Sequence, residues 1–133
     1  MSKNGKGSGM RLIIKIDGLM APKKSYQNLF NRLRFRVAQI QGLGITREQV
    51  IPYVNPHIIQ EGAEEGGVFV YLESDKPVRD PMVRQELTDA VYDFIYVFVK
   101  ATALGLRFNK FIEVFSHIDI EENSHRGGKI EWD

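Results

Sequence analysis

Arg11-Leu12-Ile13-Ile14-Lys15-Ile16-Asp17, closed by Gly18, is the stretch from which the fold is read. A β-branched run stopped by Asp-Gly is a strand signal. Its near-continuous apolar character predicts a strand covered on both faces. Downstream, Ser25 is expected to cap a helix with apolar residues at Tyr26, Leu29, Phe30, Leu33, Val37 and Ile40. That is the 3.6-residue period of a helix with one buried side. Arg32, Arg36 and Gln39 fall on the other side, and Gly42-Leu43-Gly44 supplies the stop.

Further along, Thr46-Arg47-Glu48-Gln49 has the form of a capping-box turn. Val50 to Val54 reads as a second strand, and Pro52 confines it to an edge or a bulge. A polar connection from Asn55 to Gly67 leads to a third strand, Val68 to Glu73. Asp80-Pro81 then pairs an N-cap with a first-turn proline. The predicted helix buries Val83, Leu87, Ala90, Val91, Phe94 and Phe98 and ends at Leu104-Gly105. A fourth strand is expected from Phe111 to Ile120. A turn around Arg126-Gly127-Gly128 would lead to a short final strand, Lys129 to Trp132.

The order predicts an α+β domain over residues 10–133, a duplicated β-α-β with a four-stranded mixed sheet and two helices on one face. The similar helix ends, Leu43-Gly44-Ile45 and Leu104-Gly105-Leu106, fit an internal duplication. Alternation puts Leu12, Ile14, Val68, Val70, Ile112 and Val114 on one side. The other side still holds Ile13, Phe69, Tyr71, Phe111 and Phe115. One layer of helices covers one face, so the second predicts self-association.

Composition narrows the function classes. The chain has 133 residues, 43% hydrophobic and 26% charged, which suits one globular domain. It has no cysteine, which excludes disulfides, thiolate zinc sites and cysteine nucleophiles. Residues 1–9 are polar and glycine-rich, read as a flexible arm, and lack the apolar core of a signal peptide. The apolar stretch around Ala90–Leu104 is broken by Asp93 and Lys100 and is short for a bilayer. A cytoplasmic protein without membrane contact or cofactor is the expectation. Residues 1–50 hold ten Lys/Arg against two Asp/Glu, and residues 51–133 hold eight against fifteen. Such a split fits an anionic partner, contact between complementary surfaces, or charges on opposite solvated faces of one fold.

Candidate chemistry is sparse. His57, His117 and His125 share no ligand spacing, and no metal site is expected. His117-Ile118-Asp119 would put an imidazole and a carboxylate on one strand face with Glu113, a set that a metal or acid-base site could use. Phe111 and Phe115 share that face, which favours a structural polar edge instead. No Gly-x-Ser-x-Gly or phosphate loop is present. Arg32, Arg34 and Arg36, near Lys23, Lys24 and Arg47, form a basic stripe of the kind that binds nucleic acid. Alternate residues diverge around a helix, however, and no aromatic stacking motif on a strand is predicted beside them.

The segment Met82-Val83-Arg84-Gln85-Glu86-Leu87, followed by Phe111-Ile112-Glu113-Val114-Phe115 and a polar tail, resembles the tautomerase superfamily. The likeness is to its longer members, of the 5-carboxymethyl-2-hydroxymuconate isomerase and macrophage migration inhibitory factor type, and spans roughly Met10 to Asp133. It implies a homotrimer in which three sheets make a central barrel. The family's chemistry uses an amino-terminal proline, whereas this first strand opens with Met10-Arg11. Pro22, Pro52, Pro56, Pro77 and Pro81 are all internal amides. The resemblance therefore implies an oligomer without proline-based tautomerase activity. It places Met10 and Arg11 at the mouth of a subunit-boundary site for a small anion. Tyr53, Glu73 and His117 are the candidates for a substitute base, should the chain be an isomerase-like enzyme. The other expectations are a ferredoxin-like nucleic-acid-binding domain and a structural assembly module.

Overall fold

A computed structural model describes residues 9–56, 66–102, 109–119 and 122–132. The elements are β1 (Leu12–Asp17), α1 (Ser25–Ala38), β2 (Val50–Asn55), β3 (Gly67–Ser74), α2 (Pro81–Thr102), β4 (Phe111–His117) and β5 (Ser124–Lys129). They form an α+β fold with a mixed sheet in the order β2-β1-β3-β4-β5. The sheet thus has five strands, not the four expected. β1 and β2 run parallel, with Leu12 opposite Val50, and so do β3 and β4, with Val68 opposite Ile112. β1 and β3 join antiparallel, with Ile14 opposite Leu72. The two strands flanking each helix are direct neighbours, unlike a split arrangement in which another strand separates them.

β1 sits between two partners and buries Leu12, Ile14 and Ile16 completely. They meet Leu29, Leu33 and Val37 of α1 and Leu87, Val91 and Ile95 of α2 in one core cluster. Each of these triplets follows the period of its own element. Arg32 of α1 lies over the Phe94 ring of α2 at 5.9 Å, so the helices form one layer. β2 is an edge strand, as Pro52 demands.

Ser25 is the first helical residue and not a cap. Lys24 before it is already helical and makes no side-chain cap, while Ser25 N–H donates to Pro22 O at 2.9 Å. The chain winds into α1 through a backbone turn. α1 stops at Ala38, and Gly44, at φ 62°, closes a separate short 3₁₀ turn, Gln41–Leu43. A Cβ on Gly42 would lie 2.5 Å from Val83 Cγ2 on α2, so any larger residue there would force Val83 to move. Thr46 N–H donates to Gln49 Oε1 at 2.9 Å, one arm of the expected capping box. Gln49 Nε2 in turn donates to Met10 O at 2.7 Å.

Asp80 caps α2 through Met82 N–H at 2.9 Å. The buried stripe also includes Arg84, Thr88, Ile95 and Val99, whereas Val83 and Phe94 lie at its margin. Arg84, only 2% exposed, donates to Val78 O, Arg79 O, Asp119 and Glu122. These bonds offset the desolvation of its charge.

The largest correction is at the end of the chain. Arg126-Gly127-Gly128 is no turn but the middle of β5, and β4 stops at His117. A Cβ on Gly127 would strike the Glu113 carboxylate, and one on Gly128 would lie 2.8 Å from Tyr92 Oη. The two glycines are places where neighbouring side chains cross the strand. Trp132 follows β5, with Nε1 donating to Asn109 O at 2.8 Å. Residues 1–8 of the expected arm, the connection from His57 to Glu65, the helix end at Leu104-Gly105 and Ile120 lie outside the described residues. Among the described residues no helix is long and apolar enough to cross a membrane.

Candidate functional site: the open face of the sheet

Strand alternation sends every second side chain away from the helices, and cross-strand register gathers them into rows. The central row is Tyr53, Lys15, Tyr71, Phe115 and His125. On one side of it lies Ile51, Ile13, Glu73 and His117, and on the other Asn55, Asp17, Phe69 and Glu113. Phe111 and Lys129 follow at the far end of β4 and β5.

The rings of this face pack on one another. Tyr71 and Phe115 stack at 5.6 Å between centroids, and His117 stacks on Tyr71 at 6.4 Å and on Phe115 at 6.3 Å. His125 tilts against Phe115 at 5.0 Å, and Phe69 meets Phe111 edge-on at 5.5 Å. Lys15 Nζ sits 5.7 Å above the Tyr71 ring. Each such ring pair is worth ~0.5–1.5 kcal/mol beyond its buried area. The face is nevertheless unfinished: the four rings of Phe69, Tyr71, Phe111 and Phe115 stay partly accessible. Ile51 and Tyr53 are 39% and 44% exposed.

Charges of both signs are set into this surface. His125 Nε2 lies 2.9 Å from Glu113 Oε1, in the space that Gly127 leaves open. Lys15 Nζ is 3.8 Å from Asp17 Oδ2, while the other Asp17 oxygen is buried without a partner. At the end of β1, Arg11 N–H donates to Asp75 Oδ1 at 2.8 Å and Arg11 Nε to Oδ2 at 3.3 Å. The Arg11 backbone N–H, and then its guanidinium, hold the Asp75 carboxyl below the ordinary carboxylate value.

The structure assembles part of the predicted site. Glu73 and His117 are cross-strand partners, and Arg11, just before β1, bonds Asp75 just beyond the end of β3. Tyr53 lies on β2, separated from Glu73 by β1. Met10 is not at a mouth: it is 3% exposed and belongs to the core. Asp119 does not share a face with His117. The strand has ended, and Asp119 turns to Arg84 at 3.0 Å. Glu113 instead finds His125, because Arg126-Gly127-Gly128 continues β5 alongside β4. His57 lies outside the described residues. Among those residues no group of three or more His, Asp or Glu is placed to hold a metal.

Arg32, Arg34 and Arg36 sit in the helix layer, on the opposite side of the sheet from the rings. Arg34 Nε donates to Val50 O at 3.2 Å, tying α1 to β2. Arg32 is exposed and Arg36 half-buried, both beside α2. The stacked rings of β3 and β4 lie on the other face of the sheet, so no aromatic row accompanies the basic stripe. No protein-family model matches the chain, and no curated protein matches it.

Proposed function

We propose that the protein is a self-associating, tautomerase-like module whose open sheet face docks against other copies of itself, as a trimer, without proline-based catalysis. The observation that carries this reading is the row Tyr53, Lys15, Tyr71, Phe115 and His125, with Ile13, Ile51 and Phe69 beside it. Rings supported only by one another on an accessible sheet lose further surface to water when a second sheet meets them. A second copy suits the charges. Lys15, Lys129 and the imidazoles can meet Glu73 and Glu113 of a neighbouring protomer, as the complementary patches of a closed ring require. Nucleic acid suits them less, because Glu73 and Glu113 lie among the rings while phosphate contacts need cations.

Arg11 and His117 border this face at one end, so assembly brings them to a subunit seam. Arg11, 68% exposed despite its Asp75 partner, is the group offered to a small anion there. Glu73 and His117 are the pair that could move a proton at the same seam.

Sedimentation velocity at micromolar concentration tests the assembly. Three times the chain mass is expected, and Phe115→Glu should reduce it to one chain with unchanged far-UV circular dichroism. A wild-type chain that sediments as a single copy across the micromolar range would sink the proposal. Salt-sensitive binding of single-stranded oligonucleotides, lost on Tyr71→Ala, would replace it with the nucleic-acid reading.

A further inference from the structure

We propose that the cleft between α1 and α2 is a binding site for an amphipathic monoanion, a carboxylate carried on an acyl or aryl body. It lies in the helix layer, across the sheet from the proposed docking face, and does not depend on that proposal. Asn28, Arg32 and Arg36 stand on successive turns of α1 and line one wall. Ala90, Phe94, Val97 and Ala101 repeat at helical spacing on α2 and line the other, over Leu29 and Phe98. The cleft encloses about 400 Å³, within the usual size of small-molecule sites.

Two features give the ligand its chemistry. The apolar wall stays open to solvent: Val97 is 65% exposed in the C-terminal part of α2. The cationic wall lacks counter-ions, since neither Arg32 nor Arg36 has a carboxylate within ion-pair distance among the described residues. Among the described residues Asp93 is the one acid lining the cleft, and Arg126 holds it at 2.8 Å. Arg36 also borders a more open groove carrying Asp80, Glu86, Asp89 and Asp93, and pairs with none of them. Arg32 already rests over the Phe94 ring at 5.9 Å, which keeps its guanidinium above the apolar wall. A carboxylate between the two guanidiniums would gain charge-assisted hydrogen bonds while its tail covers Phe94, Val97 and Ala101.

The test is an amide-resolved NMR titration of the full chain with decanoate, with decanol as the uncharged control. Saturable shifts are expected at Arg32, Arg36, Val97 and Ala101, with decanol binding about tenfold more weakly. The double substitution Arg32→Ala, Arg36→Ala should cost a similar factor. Ala101→Trp, at an exposed position, should block the cleft while leaving the spectrum of the sheet unchanged. The proposal is overturned if decanol binds as well as decanoate, if the double variant keeps full affinity, or if the shifts fall at Tyr71 and Phe115.

Discussion

The two faces of the sheet are built from different materials. Toward the helices, Leu12, Ile14, Ile16, Val68, Val70, Leu72, Ile112 and Val114 are all wholly buried. Away from them stand Phe69, Tyr71, Phe111 and Phe115, packed ring to ring and still partly accessible. Branched aliphatic side chains need close neighbours on every side, and two helices provide them. Flat rings stabilise one another sideways and leave their outer edges for something else. The contrast teaches where stability resides and where recognition is available.

Adjacent residues of β3 give the sharpest way to break that comparison. Leu72→Ala, on the helix side, should cost about 3 kcal/mol in urea denaturation, as a fully buried truncation does. Arg84→Ala should cost about as much, because Asp119 is left near the core without its cation, and Arg84→Met should recover part of the loss. Tyr71→Ala, one residue from Leu72 but on the open side, should cost about 1 kcal/mol at low protein concentration. A cost that grows with concentration would show that the face is covered in solution, since association stabilises the folded chain by mass action. Gly127→Ala should cost less than about 1 kcal/mol and shift the His125 imidazole resonance, because the new methyl displaces Glu113.

The smallest effect is a pH dependence. The Asp75 carboxyl titrates lower in the folded chain than its ordinary value of 3.8. Its contribution is therefore fully present above the unfolded value and is lost as pH falls through the lower folded value. Wild type should lose slightly more stability than Asp75→Asn across that acid range, measured by denaturation at matched ionic strength.

Much of this was legible in the sequence because it is local. The alternation in Leu12–Asp17 and Val68–Glu73 separated the two faces, and Asp80-Pro81 located the start of α2. Cross-strand contacts were not legible, because register is a tertiary property. Nothing near Glu113 in the chain announces His125, and Gly127-Gly128 carries the same letters whether the chain turns or a neighbour needs room. Asp119 misled for a related reason: two-residue spacing implies a shared face only while the strand continues. Met10 followed the site implied by family likeness, but its side chain belongs to the core.

Pro52 sets a boundary on growth. It stands in β2, the outermost ladder on its side, and has no N–H to offer an incoming chain. Lateral accretion of sheet upon sheet into a filament meets a missing rung there. Edge-to-edge pairing through β2 is thereby disfavoured on that side of the sheet.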